Sequence, residues 1–269
     1  MSAYLARIVV FPFKSLDGMP LDSAVVLPSG ALEGDRRWAL ADHQGTLLTA
    51  KRCTSLHGIR FRFDPATRMV YVQAASDGNS AAFHIDQQRR PLQSWFSDVL
   101  GQTVQIIEDS NGGFPDDVAA SGPTVVSTAT LQAVAGWFPP LDEDDVRQRF
   151  RANLELGGVE PFWEDRLVGT PEQPVWFRVG DCVLGGVNCC QRCAVPSRDP
   201  KSGQALAGFV ARFARYRESA LPPWAARDRF DHYYRLCVNT RPGGSPYARL
   251  RVGDPVELVD APAAGDACR

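Results

Sequence analysis

No stretch of the 269-residue sequence approaches the eighteen or more consecutive apolar residues of a membrane-spanning helix. The opening run MSAYLARIVVFPFKSLDG is uninterrupted by charge only between Arg7 and Lys14, six residues, too few for the core of an export signal. The expectation is therefore a cytoplasmic protein whose thiols stay reduced. An excess of one charge is also missing: 29 lysines and arginines face 31 acids, a net charge of −2. That balance points to neither a nucleic-acid nor a membrane-surface partner. There are only four histidines, no H-x-x-H pair and no second C-x-x-C, so a closed zinc site has no obvious ligand set. The spacing of a plant-type iron–sulfur site, a G-x-G-x-x-G dinucleotide fingerprint and a flavin signature are absent too. No internal repeat or low-complexity tract interrupts the chain, and its apolar and charged fractions, 44% and 22%, are those of a globular protein.

Short period-2 segments fill the first hundred residues: YLARIVVFPF, SAVVLPSG, RRWALADHQGTLLTA, GIRFRFDPATRMVYVQA and SAAFHID. Turn residues at Asp42–Gly45, Asp64–Thr67 and Asp77–Asn79 separate them, the pattern of hairpins in a sandwich or barrel. RPLQSWFSDVLGQ reads as a helix with Trp95, Phe96, Val99 and Leu100 on one face and Gly101 at its end. The polar stretch Asp109–Gly122 reads as a linker or an ordered loop between two lobes. Ser127 is placed to cap STATLQAVAGWF. DEDDVRQRF runs from acidic to basic, as the helix dipole favours. Strands resume in RANLELGG, VWFRVGDCVLGGV and YARLRVGDPVELV. GQALAGFVARFARYRESA, before Pro222–Pro223, has amphipathic helical spacing. The tail after Val259 is Ala-rich and is expected to fray.

The seven cysteines are an odd number, and three of them, Cys189, Cys190 and Cys193, crowd into NCCQRCAVPSRDPKSGQ. Cys190–Cys193 is a C-x-x-C, but Pro196 and Pro200 argue against the helix that a thioredoxin-like pair needs. One of Cys189 and Cys190 can simply be a core residue, since free cysteine is often buried. A further possibility is a single thiolate on a soft metal whose other ligands come with a cofactor. If that cofactor carries a phosphate, cations are needed nearby.

The segment RCAVPSRDPKSGQ resembles the surroundings of the molybdenum-ligating cysteine in MOSC-domain proteins. VFPFKSLDGMPLDSAVVLPSGALEGDRRWALADHQGTLLTAKR resembles the N-terminal β-barrel domain of that family. RFRANLELGGVEPFWEDRLVG and LRVGDPVELV resemble the opening and closing segments of the MOSC domain itself. The four stand in the family's order from Val10 to Val259, and the branch they most resemble is that of the mitochondrial amidoxime-reducing component and its bacterial relatives. The resemblance implies a mainly β (α+β) protein: an N-terminal β-barrel domain over residues 1–110, then a β-barrel-like MOSC domain with peripheral helices over residues 111–269. It implies a molybdenum cofactor, a molybdopterin with a terminal phosphate, in the cleft between the two. Cys193 matches the residue that ligates molybdenum, and Cys190 a neighbouring cysteine of some members; Cys189 has no counterpart. Lys14, Ser15 and Arg36 match residues that hold the cofactor, and Arg151 and Asn153 match polar residues lining its site. Arg192, beside Cys193, could favour the thiolate if its head turns inward.

The activity so implied is reduction of N-hydroxylated compounds, hydroxylamines and amidoximes, by a metal-binding oxidoreductase. A sulfur carrier or transferase holding a persulfide on Cys193, or a non-catalytic cofactor carrier, would need the same thiol. Nothing in these residues resembles the family's membrane anchor or ferredoxin-like extension. The expectation is a separate electron donor, a ferredoxin- or cytochrome-type protein. The segment PPWAARDRFDHYYRLCVNTRPGGSPYARL is the least family-like, so substrate identity is the weakest inheritance.

Overall fold

Alternation of apolar and charged residues in IRFRFD buries Ile59, Phe61 and Phe63 and turns Arg62 out, the pattern of a hairpin strand with one face in the core. The computed structural model describes residues 2–76, 78–244 and 246–262. Position 77 of the Asp77–Asn79 turn, and the tail from 263 with Cys268, lie outside the described residues. In chain order the elements are β1 (Tyr4–Val10), β2 (Met19–Leu21), β3 (Ser23–Val25), β4 (Trp38–Asp42), β5 (Leu47–Leu48), β6 (Ile59–Asp64), β7 (Met69–Ala74) and β8 (Ser80–His84). Then come α1 (Arg89–Leu100), β9 (Val104–Glu108), β10 (Val125–Ser127), α2 (Thr128–Trp137), α3 (Glu143–Phe150) and β11 (Leu154–Gly157). The chain continues through β12 (Val175–Val179), β13 (Cys182–Gln191), α4 (Phe209–Ser219), β14 (Arg235–Pro242), β15 (Arg249–Arg251) and β16 (Val256–Leu258). The protein is mainly β, as expected.

The first lobe contains two three-stranded sheets, β5-β4-β9 and β6-β7-β8, whose apolar faces share one core. Through it Phe13 stacks on Trp38 at 5.7 Å between ring centres, and Phe63 meets Trp38 edge-on at 5.3 Å. Helix α1 adds Leu92, Trp95 and Phe96 to this core and ends on Gly101 in the left-handed conformation. The second lobe is built on an eight-stranded sheet, β16-β12-β13-β14-β10-β11-β1-β2, in which the β10–β11 pair is parallel. Helices α2, α3 and α4 pack an aromatic cluster on it, with Phe138 and Phe209 4.4 Å apart and Phe150 and Phe213 5.4 Å apart. Ser127 caps α2 through Thr130 N–H, and Asp142 and Asp145 form a capping box at α3.

Two features go beyond the sequence reading. The N-terminal strands hydrogen-bond with the second lobe: β1 pairs with β11, β2 with β1, and β3 with β15, so the sheets do not part at residue 110. Helix α4 also begins later than its apolar spacing suggests. Residues 203–208 are held as loop because their backbone serves the cysteine segment: Leu206 N–H donates to Ser197 O at 2.7 Å, and Asp199 N–H to Gln204 O at 2.8 Å. Gly208, at φ 68°, then redirects the chain into the helix.

Behind β10 and β14 lies a buried polar group. Arg217 is fully buried and reaches both carboxylate oxygens of Asp165 at 2.6 Å. Next to this pair, Glu164 accepts from Thr130 Oγ1 at 3.0 Å, and burial together with Asp165 pushes its pKa up to about 7. A raised carboxyl pKa means that the folded state holds a proton that the unfolded state has released. The stabilising contribution is therefore complete below the ordinary glutamate range and is lost as pH rises toward 7. Urea unfolding should give Glu164→Gln and the parent similar midpoints at pH 5. At pH 8 the variant should be the more stable by on the order of 1–3 kcal/mol. A gap that does not change with pH would contradict a protonated Glu164.

Candidate functional site

The thiol cluster is separated by the geometry of one strand. Along β13, Gly186 lies so close to Leu167 that a Cβ there would meet its carbonyl oxygen at 1.9 Å, so only glycine lets the strand pass. Further on, Cys189 faces Val238 of β14, but Gln191 faces Arg235, so β14 carries one extra residue. Cys237, at φ 68°, lies in this bulge. Such a bulge re-aims the side chains beside it. Cys189 points into the core, where burial drives its thiol pKa well above the ordinary value; Cys237 is buried likewise and pushed up to about 12. Cys190 is half-buried and Cys193 is exposed. Both line a cleft of about 800 Å³ between the lobes.

The loop that carries Cys193 is held by arginines. Arg149, buried, donates to the carbonyls of Pro196 at 3.2 Å and Arg198 at 2.5 Å. Arg198 reaches across the cleft to Ala50 O at 2.7 Å, and Arg60 of the first lobe reaches Pro200 O at 3.1 Å. Val195 N–H approaches Cys193 Sγ at 3.5 Å. Such a donor suits a thiolate. The Arg192 guanidinium does not hydrogen-bond to Cys193. It donates to Cys190 Sγ at 3.2 Å and to Phe150 O at 2.5 Å, so its charge is directed to the neighbouring thiol.

Lys14, Ser15, Arg36 and Arg151 all line the same cleft. Three of the four have a positive φ: Ser15 at 71°, Arg36 at 48° and Arg151 at 54°. Left-handed backbone is rare for such residues and gathers at functional sites. Each is pinned. Ser15 Oγ accepts from Ala50 N–H at 3.1 Å. Arg36 N–H donates to Phe11 O at 2.7 Å, and its carbonyl accepts from Phe114 N–H at 2.9 Å. Gly113, at φ 65°, permits that approach, since a Cβ there would lie 2.5 Å from Asp35 O. Arg151 ends α3, donates to Leu16 O at 2.6 Å and stacks 4.1 Å over the Phe11 ring.

These cations feel one another. Burial and then the Arg36 charge press the Arg151 pKa down to about 10. Lys14 is lowered chiefly by burial and further by Arg36 and Arg151, against the pull of Asp116. Its ammonium donates to Phe114 O at 2.8 Å and Asp116 at 2.5 Å, so the 109–122 stretch is an ordered wall of the site. Among the described residues the Arg36 guanidinium has one ion pair, to Asp35 at a loose 3.9 Å. It is thus a cation with capacity left for an anion.

Asn153 stands apart from the other named residues, because it does not line the cleft. Its amide donates to Val9 O at 3.1 Å and its oxygen accepts from Thr124 N and Oγ1, both at 3.2 Å. It also faces Asp35 and so supports Arg36 from behind. The sequence reading did not single out Asp116, Arg149, Arg198 or His57. His57 is buried, and burial followed by Arg198 and Arg151 lowers its pKa. Its Nε2 has no hydrogen-bond partner among the described residues. None of the four has a local signal, because each is placed by contacts far away in sequence. Among the described residues no three His, Cys, Asp or Glu side chains gather into a metal site. No helix of those residues is long and apolar enough to cross a membrane.

The fold and site define a two-lobed, mainly β protein with a thiol and a cation cluster in one cleft. Two family models match it: the MOSC N-terminal beta barrel domain over residues 2–103 and the MOSC domain over residues 122–257. The chain belongs to the MOSC-domain family. Curated proteins named molybdenum cofactor sulfurase are similar to it. That from Drosophila grimshawi is 24% identical over 95% of this chain and 34% of its own length. That from Drosophila mojavensis is 24% identical over 81% of this chain and 31% of its own. That from Danio rerio is 22% identical over 82% and 33%. The chain spans about a third of the length of these relatives. A solved structure described as "Crystal structure of an hypothetical protein" aligns over 98% of this chain and 71% of its own, at 11% identity and a TM-score of 0.44.

Burial sets an order of thiol reactivity. With iodoacetamide at pH 7.5, peptide mass spectrometry should find Cys193 alkylated first and Cys190 more slowly. Cys182, Cys189 and Cys237 should stay unmodified in the folded protein. Early labelling of Cys189 or Cys237 would contradict the register of β13 on β14.

Proposed function

We propose that this chain is a molybdenum-cofactor-dependent oxidoreductase that reduces N-hydroxylated compounds such as hydroxylamines and amidoximes. The observation that carries the reading is the convergence of the exposed Cys193 thiol and the Lys14, Arg36 and Arg151 cations on one cleft of about 800 Å³. The residues fit a pterin that bears a phosphate and a soft metal. A thiolate is the single protein ligand such a metal needs. A loosely paired guanidinium beside an ammonium is a phosphate cradle. The size is that of a small-molecule or cofactor site, and its position between lobes is where such sites form.

When bound, the molybdenum centre supplies two-electron exchange and uptake of the oxygen of the N–O bond. The chain supplies the rest. Cys193 holds the metal, with Val195 N–H stabilising its sulfur. Arg36, Lys14 and Arg151 hold the phosphate, and Ser15 adds a hydroxyl whose proton has no acceptor among the described residues. Arg149, Arg198 and Arg60 fix the cysteine loop against the first lobe. Reduction of R–NHOH to R–NH₂ and water consumes two electrons and two protons. On this reading a ferredoxin- or cytochrome-type protein delivers the electrons.

A second reading is favoured by the names of the curated relatives. On that reading Cys193 carries a persulfide for cofactor sulfuration, and the cations hold the cofactor as its recipient. The two separate on assay. Protein made in a host that synthesises the molybdenum cofactor should reduce benzamidoxime with reduced methyl viologen but not with NADH alone. Arg36→Ala and Arg151→Ala should each weaken cofactor retention by about 1.5–3 kcal/mol, the worth of one charge-assisted contact. Cyanolysis should release no thiocyanate from Cys193. Thiocyanate release without benzamidoxime turnover would favour the persulfide reading instead. Turnover sustained by dithiothreitol after removal of the cofactor would return Cys190 and Cys193 to a thiol redox cycle.

A further inference from the structure

The cleft carries more positive charge than one phosphate requires. Nine lysine and arginine side chains line it against three aspartates, in a chain whose net charge is −2. All three aspartates are engaged within the protein. Asp17 accepts from Arg60 at 3.0 Å and from Phe61 N–H at 2.9 Å. Asp116 is taken by Lys14, and Asp117 accepts from Ala119 N–H at 3.1 Å and the Asn239 amide at 3.3 Å. Most of the cations are committed too, to carbonyls or to Cys190. Lys51 and Arg52 are different. Both are exposed on the cleft wall, and neither side chain has a hydrogen bond, ion pair or ring contact among the described residues.

Their backbone is held firmly while their heads are not. Arg52 N–H and Cys53 N–H both close on Thr49 O, at 2.9 and 2.8 Å, which makes residues 49–53 a tight turn. The turn is tied to both lobes. Ser15 Oγ takes Ala50 N–H, and Arg198 from the cysteine loop donates to Ala50 O at 2.7 Å and Lys51 O at 3.4 Å. The Arg198 side chain thus meets the Lys51 backbone, and Arg198 is five residues from Cys193 in sequence. The cations fall into two groups. Arg36 sits close enough to lower both Lys14 and Arg151, whereas Lys51 and Arg52 stand on a separate turn that the cysteine loop touches.

We infer that Lys51 and Arg52 form a second anion subsite at the mouth of the cleft, and that it selects N-hydroxylated substrates carrying a carboxylate or a phosphate. This rests on the reductase reading above. The inner group satisfies the cofactor phosphate, and the outer pair faces whatever enters past the Cys193 loop. An anionic group there neutralises two unpartnered charges, gains a charge-assisted contact with each, and is drawn in by the surplus field of the cleft. A neutral substrate gains none of these.

Equilibrium binding tests this without turnover. Purified holoenzyme with no electron donor is titrated calorimetrically with benzamidoxime and with 4-carboxybenzamidoxime, which it cannot consume. The carboxylated compound should bind about tenfold more tightly at low ionic strength. That ratio should collapse toward one in Lys51→Gln/Arg52→Gln, and in the parent at high salt. Equal affinities in the parent, binding of neither compound, or a preference that survives the double substitution would each overturn the subsite. Analysis of the released pterin is the remaining arm: a nucleotide attached to its phosphate would assign the outer pair to the cofactor and overturn the substrate assignment. Addition of reduced methyl viologen afterwards tests the reductase reading alone, since a compound can bind at Lys51 and Arg52 and still not be reduced.

Discussion

Like charges are held together in this protein against their own repulsion. Lys14, Arg36 and Arg151 enter one cleft, where Arg36 lowers the proton affinity of both Lys14 and Arg151, and Arg151 that of Lys14. They stay because the backbone leaves them no alternative. Two of them occupy left-handed conformations; Arg36 is fixed by its N–H donating to Phe11 O and its carbonyl accepting from Phe114 N–H, and the Arg151 side chain donates to Leu16 O. Asp116 and Asp35 relieve part of the repulsion, and neither removes it. A site so built stores strain, as functional sites often do.

The same constraint explains how the lobes are joined. β1 belongs to the sheet of the second lobe, yet Phe11, Lys14 and Ser15, which follow it directly, form the wall of the first. Arg151, at the end of α3, crosses back to Leu16 and Phe11. The cleft is therefore a seam with hydrogen bonds running both ways, and Arg198 and Arg60 close it on the cysteine side. Cys193 owes its exposure to this arrangement, with the bulge at Cys237 on one side of its loop and the arginine clamps on the other.

Much of this was legible in the sequence wherever the signal is local. The β6–β7 hairpin, the Ser127 cap, the acidic start of α3 and Gly101 follow from turn chemistry, capping and periodicity over a few residues. Cys193, Lys14, Ser15, Arg36 and Arg151 could be named because their motifs resemble a family's, and the structure brings all five to one cleft. What could not be read depends on partners distant in sequence. Asp116 meets Lys14 across a separation of 102 residues, and Arg198 meets Ala50 across 148. The side-chain direction of Arg192, toward Cys190 and not Cys193, depends on the Phe150 carbonyl. Helix α4 starts late because the cysteine loop uses the backbone that would have been its first turns.

Membership in the MOSC-domain family and a thiol set opposite a cation cluster lead to a single-sulfur metal site as the central claim. The most direct test is elemental analysis of protein purified from a host that makes the molybdenum cofactor, comparing the parent with Cys193→Ser and Cys190→Ser. The account predicts about one molybdenum per chain in the parent and in Cys190→Ser, and essentially none in Cys193→Ser, with all three equally folded by circular dichroism. Full molybdenum in Cys193→Ser, or its loss in Cys190→Ser alone, would contradict it.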